Sequence, residues 1–269
     1  MPRTFVLVHG AFANAAHWGP VARGLTLRGH RAVAVDLPGH GLDARNTGMV
    51  GISTADDVAA VVEVVRAARE HGPVVLVGHS RGGLTVTAVA NAVPELLDHV
   101  VYVSAWCCVN GGPSDYTGFA PSELDAVAPT LLLAHPVEAG ELRVDFGTTD
   151  PAALDALQSA LLADGSRAEL LAMLAAMDRR ESLAIDEETV RVDPARWGRV
   201  PHTYVRLTAD RALMPALQDR FVAEADAAVV GNPFTTTSLD TSHLGVQLRP
   251  GPLVEVLTHV STSPCPDTD

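Results

Sequence analysis

Pro73-Val74-Val75-Leu76-Val77-Gly78-His79-Ser80-Arg81-Gly82-Gly83 is the stretch on which the fold turns. An apolar run with the look of a buried strand leads directly into Gly-x-Ser-x-Gly, and an Ala- and Val-rich helical stretch, Leu84 to Ala92, comes after it. In that setting the chain turns from strand to helix so sharply that the flanking positions must lack a Cβ. The serine hydroxyl is then pushed out at the top of a sheet. The pattern by itself occurs in ordinary loops. Strand before, helix after and the further glycine at Gly83 make Ser80 a candidate nucleophile.

Outward from this turn, strand and helix alternate. Phe5 to Val8 reads as a short apolar strand, His17 to Leu27 as a helix stopped by Gly29-His30, and Ala32 to Val35 as the next strand. A loop, Asp36-Leu37-Pro38-Gly39-His40-Gly41, follows. Ser53 and Thr54 cap a helix running to about Glu70, with Val58, Val61, Val62 and Val65 at helical spacing. His99 to Val103 is a further strand. From Trp106 to Val200 the rhythm breaks into Ala- and Leu-rich helical stretches, Pro151 to Asp164 and Ala168 to Met177, with no strand alternation. It resumes with a strand at Thr203 to Leu207, a helix from Pro215 to about Ala225, a strand at Thr235 to Leu239 and a helix at Leu253 to Val260. Continuous apolar strands alternating with helices predict an α/β protein whose parallel sheet is buried on both faces. The expected organisation is a core of residues 1–106 and 201–260, a helical lid at 107–200, and a disordered polar tail at 261–269.

Composition narrows the chemistry. The formal net charge is −13 with no basic run, which argues against nucleic acid. All 19 basic residues are arginine, so Schiff-base lysines, a P-loop lysine and a Ser–Lys dyad are ruled out. Three cysteines, Cys107, Cys108 and Cys265, give no disulfide framework. No Cys/His cluster suggests a metal, and no cofactor is expected. No segment has the roughly 18 apolar residues of a membrane span, and the N-terminus lacks a cleavable signal, so a cytoplasmic protein is expected. Oligomeric state stays open, a homodimer included.

A serine hydroxyl needs a base to take its proton, and the base needs an acid to orient it. His243, in Asp240-Thr241-Ser242-His243-Leu244, is the one histidine between the last strand and the last helix, where the base belongs. Asp210 lies just past the strand ending at Leu207 and is the expected acid. Asp240 is its rival but shares a loop with the base, which makes it the poorer orienter. An oxyanion requires two backbone donors. Arg81 N–H is one, and Ala11 N–H in His9-Gly10-Ala11-Phe12 is the other, with Phe12 N–H as the alternative. His9 reads as a loop-structuring residue and His79 as packing. The Arg81 side chain is expected on a structural partner rather than on a substrate carboxylate.

These residues resemble the α/β-hydrolase superfamily. The resemblance rests on Phe5-Val6-Leu7-Val8-His9-Gly10-Ala11, Asp36-Leu37-Pro38-Gly39-His40-Gly41, Gly78-His79-Ser80-Arg81-Gly82-Gly83 and Thr208-Ala209-Asp210-Arg211. With Leu217-Gln218-Asp219-Arg220 and Thr241-Ser242-His243, the chain is similar to the plant methylesterase and hydroxynitrile-lyase branch and its bacterial relatives. The resemblance implies an eight-stranded, mostly parallel sheet, a helical lid and a triad carried onto Ser80, Asp210 and His243. Lyases of that branch have a lysine after the base, where this chain has Leu244, which points to ester hydrolysis. Epoxide hydrolases and haloalkane dehalogenases have aspartate at the nucleophile, unlike Ser80. The expectation is therefore a serine hydrolase that cleaves an apolar small-molecule ester through an acyl-enzyme. Phe12, Trp106, Met173 and Met177 are candidate pocket residues. A lactone, thioester, carbon–carbon bond or polyketide tailoring step is the alternative for the same triad, and a non-turnover receptor is the reading from another class.

Overall fold

The computed structural model describes residues 2–42, 48–116, 118–183 and 190–260 of the 269-residue chain. In chain order its strands are β1 (Thr4–Val8), β2 (Arg31–Val35), β3 (Val74–Ser80), β4 (His99–Ala105), β5 (Glu141–Arg143), β6 (Arg180–Ser182), β7 (His202–Leu207) and β8 (Thr235–Leu239). Its helices of eight or more residues are α1 (Gly19–Thr26), α2 (Thr54–Arg69), α3 (Gly82–Ala92), α4 (Pro151–Leu161), α5 (Arg167–Ala176), α6 (Pro215–Ala228) and α7 (Gly251–His259).

The main sheet has the order β2-β1-β3-β4-β7-β8, and every neighbouring pair is parallel. Alternate residues of each inner strand face opposite sides, as the two-residue period of a strand requires. Phe5, Leu7, Val75, Val77, Val101 and Val103 pack with α1 and α7 through Leu25, Leu253 and Leu257. Val6, Val8, Leu76, Val100 and Tyr102 pack on the other side with Val61 and Val65 of α2, Val86 and Val89 of α3, and Phe221 of α6. Burial on both faces explains why the inner strands read as uninterrupted apolar runs. β8, Thr-Thr-Thr-Ser-Leu, lies at the sheet edge and is largely exposed.

Helix starts follow local chemistry. Before α2, the Ser53 backbone N–H and hydroxyl both donate to Asp56, at 2.9 and 2.7 Å. A Cβ at Gly83 would collide with the Trp106 carbonyl, so glycine there lets α3 press against the end of β4. The bundled carboxyl ends of β1, β3, β4 and β7 bring distant loops together above the sheet.

Two sequence expectations need correcting. Among the described residues the main sheet has six strands, not eight. The inserted segment between β4 and β7 is not purely helical: β5 and β6 pair antiparallel, Glu141 opposite Ser182 and Arg143 opposite Arg180. Both are three residues long and charged, so no apolar alternation marks them. The insertion otherwise packs around its own cluster, including Val144, Phe146, Leu157, Leu161, Leu170 and Leu174. Cys107 and Cys108 are buried and unpaired. Cys265 and the tail expected to be disordered, 261–269, lie outside the described residues. No helix among the described residues is long and apolar enough to cross a membrane.

Candidate active site

Ser80 ends β3 at the entry to α3, as the Gly-x-Ser-x-Gly reading requires, with φ of 53°. Only three non-glycine residues among those described have such left-handed backbones: Phe12 (φ 56°), Ser80 and Ser104 (φ 38°). All three flank the same cavity mouth or the acid beside it. Left-handed non-glycine residues cost energy and persist where surrounding contacts over-determine them, commonly at functional sites. Gly10 passes so close to the nucleophile that a Cβ on it would come within 2.8 Å of the Ser80 Cβ.

His243 and Asp210 meet from separate loops. The His243 Nδ1–H donates to Asp210 Oδ2 at 2.6 Å, and both side chains are buried. The Ser104 hydroxyl donates to the same oxygen at 2.7 Å. The backbone N–H groups of Ala212 and Leu213 donate to Oδ1, each at 2.8 Å. Donors thus fill both oxygens and orient the carboxylate. The rival Asp240 is exposed and accepts from the Thr208 hydroxyl at 3.2 Å.

Phe12 N–H donates to Glu181 Oε2 at 2.9 Å and is thereby taken. Among the described residues, no group accepts from Ala11 N–H or Arg81 N–H. The Arg81 side chain donates to Asp57 Oδ2 at 2.9 Å and lies 3.7 Å from Glu181 Oε1, so its partners are structural. His9 also has a structural place: its Nε2 accepts from Leu37 N–H at 3.1 Å and its Nδ1 faces the Gly10 carbonyl at 2.9 Å. Burial, helped by His40, lowers its pKa to about 3, so it is neutral. His79 is likewise held well below the ordinary value by burial and by His243. Its Nε2–H donates to the His243 carbonyl at 3.1 Å, so it braces the loop carrying the histidine rather than merely filling space.

Two cavities open on Ser80 and His243. One, of about 120 Å³, is lined by apolar side chains including Phe12, Leu131, Phe146, Met177 and Leu244. The other, of about 490 Å³, is lined by Arg81, Trp106, Tyr116, Ser122 and Asp125 among others. Among the described residues, no group of three or more His, Cys, Asp or Glu side chains is arranged to hold a metal ion.

A model of the alpha/beta hydrolase family matches residues 5–256. The chain belongs to that family. Among curated proteins it is 35% identical over 107 residues to Methylesterase 8 of Arabidopsis thaliana, an alignment covering 39% of each chain. It is 32% identical over 103 residues to the Arabidopsis thaliana alpha-hydroxynitrile lyase, covering 38% of this chain and 39% of the lyase. The chain thus spans about two-fifths of the length of these relatives. A solved pyrethroid hydrolase from Sphingobium faniae JZ-2 superposes with a TM-score of 0.75 over 96% of each chain at 22% identity, a likeness of fold.

Within this alpha/beta hydrolase, Phe12 and Met177 line the smaller cavity and Trp106 lines the larger one. Met173 lines neither; it is buried in the insertion's own core beside Leu170 and Leu174. Its helical spacing could not tell an inward from a cavity-facing position. Residues not singled out in the sequence include Ser104, Glu181 and Asp164. Ser104 had a signal, since it comes directly after the run His99 to Val103 that read as a strand, although β4 itself continues to Ala105. Asp164 accepts from the Thr241 hydroxyl at 2.6 Å and from Ser242, gripping the His243 loop. Glu181 and Asp164 had none, because their partners lie far away in sequence.

Proposed function

We propose that this chain is a serine hydrolase cleaving carboxylic esters with an apolar small-molecule part, with Ser80, His243 and Asp210 as its triad. The observation that carries the reading is the 2.6 Å contact between His243 Nδ1 and Asp210 Oδ2 at the cavity where Ser80 sits on a left-handed turn. Ser80 Oγ attacks the ester carbonyl while His243 Nε2 takes its proton. Asp210 holds the Nδ1–H tautomer and steadies the imidazolium. The carbonyl oxygen becomes an oxyanion that accepts from Ala11 N–H and Arg81 N–H. Ala11 is preferred over Phe12 because Phe12 N–H is already bound to Glu181. Collapse expels the alcohol, which receives the proton from His243, and leaves an acyl group on Ser80. Water, deprotonated by His243, then attacks the acyl carbonyl and releases the acid.

The apolar cavity supports an apolar acyl or alcohol group, and residues 107–200 serve as the lid that completes it. Leu244 is buried in its wall, so an apolar side chain follows the base where the related lyases have lysine. That favours hydrolysis over cyanohydrin cleavage. The test is Ser80→Ala assayed with short p-nitrophenyl esters, together with labelling by a fluorophosphonate probe. Turnover should fall at least ~10³-fold, and the wild-type label should map to Ser80. Retained turnover, or a label elsewhere, would sink the assignment.

A further inference from the structure

Phe12 adopts a backbone that phenylalanine avoids, and both of its backbone polar groups are bound by the insertion. Its N–H donates to Glu181 Oε2 at 2.9 Å, and its carbonyl accepts from Asp178 N–H at 2.8 Å. The grip continues on either side. Asn14 Nδ2 donates to the Ala176 carbonyl at 3.0 Å, and Gly41 N–H donates to Asp178 Oδ2 at 2.9 Å. Glu181 has no exposed surface, and donors reach both of its oxygens. Besides Phe12, His40 Nε2 lies 3.1 Å from Oε2, Ser182 N–H donates to Oε1 at 2.9 Å, and Arg81 lies 3.7 Å from Oε1. A carboxylate suits this place because it presents acceptors in both directions; an amide presents one acceptor and turns N–H groups toward the other donors. The charged neighbours make its burial tolerable.

We propose that Glu181 is a positioning residue: it holds the left-handed Phe12 turn so that the adjacent Ala11 N–H stays aimed at the reaction centre, and it ties that turn to Arg81 beside the nucleophile. The insertion thereby builds half of the oxyanion site as well as roofing the cavity. Glu181 touches no reacting atom and acts through the Ala11 amide. A donor displaced by a fraction of an ångström loses much of its value in the transition state while ground-state binding hardly changes.

The inference rests on the serine-hydrolase reading, so Ser80→Ala is assayed alongside. Glu181→Gln keeps the size but offers one acceptor; Glu181→Asp keeps the charge but shortens the reach to Phe12. In each folded variant, kcat on a p-nitrophenyl ester should fall by about 100-fold with KM within about threefold. Affinity for a trifluoromethyl ketone, which forms a tetrahedral adduct on Ser80, should fall in parallel, while affinity for the product acid stays unchanged. A purely structural role would lower the melting temperature and leave these ratios alone. Near-wild-type kcat in either folded variant overturns the proposal. An active Ser80→Ala protein overturns the underlying reading instead. In the unaltered protein, the Phe12 amide should exchange slowly with solvent by NMR, whatever the variants' folding; exchange at the rate of a free loop amide also overturns the proposal.

Discussion

At the scale of single residues, Asp210 is the most constrained group of the site. Its Oδ1 holds two backbone N–H groups and its Oδ2 holds Ser104 and His243. An asparagine would keep its single oxygen on the backbone pair and turn its NH₂ toward His243. The imidazole would then have to accept at Nδ1, placing its proton on Nε2, where it cannot take one from Ser80. Asp210→Asn should therefore stay folded and lose kcat by ~10³–10⁴-fold. Ser104→Ala removes one donor and leaves the tautomer alone, so its loss should be nearer ~10-fold. Steady-state kinetics with matched thermal melts check both; equal losses in the two variants would contradict this division of labour.

At the scale of elements, the insertion grips the site at two places: Glu181 holds the Phe12 turn, and Asp164, just after α4, holds the loop carrying His243. Asp164 accepts from the Thr241 and Ser242 hydroxyls and from Ser242 N–H, and Leu244 N–H donates to the Leu161 carbonyl at 2.9 Å. Burial opposes the Asp164 charge, but these hydrogen bonds outweigh it and draw its pKa down. Asp164→Ala should loosen the His243 loop and cut kcat about 10-fold, since small misplacements of catalytic groups are costly, with a modest change in melting temperature. An unaltered kcat would mean that the Leu161 and His79 contacts hold the loop without it. The contrast in legibility follows from the same physics. The six strands of the main sheet were readable because the inner ones are buried on both faces and because loops, caps and turn glycines punctuate them. The expectation of eight came from family resemblance, not from apolar runs. β5 and β6, Glu-Leu-Arg and Arg-Glu-Ser, carry no periodic signal. Ser80, His243 and Asp210 were readable as residues at strand ends in a fixed chain order, and the structure brings His243 and Asp210 into contact. Glu181 was not, because Phe12 and His40 are 169 and 141 residues away and nothing local marks it.

At the scale of the whole molecule, Glu181, His40, Arg81 and Asp57 form a buried charge cluster joining the insertion to the core. Its members titrate in opposite senses. Burial works against the Glu181 carboxylate, yet Arg81 and His40 pull its pKa from 4.5 to about 2. It therefore contributes stability that is complete above about pH 4.5 and is lost as pH falls toward 2. For Asp57 burial dominates over Arg81 and raises the pKa from 3.8 to about 6. A raised acid contributes stability below its unfolded value that is lost as pH climbs through the folded one. For His40, burial opposes the charge, but its hydrogen bond and ion pair with Glu181 raise the pKa above 6.5, and that contribution fades only at higher pH. Between about pH 4.5 and 6 the Asp57 term thus falls while those of Glu181 and His40 hold nearly steady. Asp57→Asn removes this falling term. Across that window the urea midpoint of the wild type should decline relative to that of Asp57→Asn, and the difference should level off only above about pH 7, once folded Asp57 has lost its proton. A difference that stays flat, or that grows in favour of the wild type as pH rises, would mean that the Arg81 pairing outweighs the burial of Asp57.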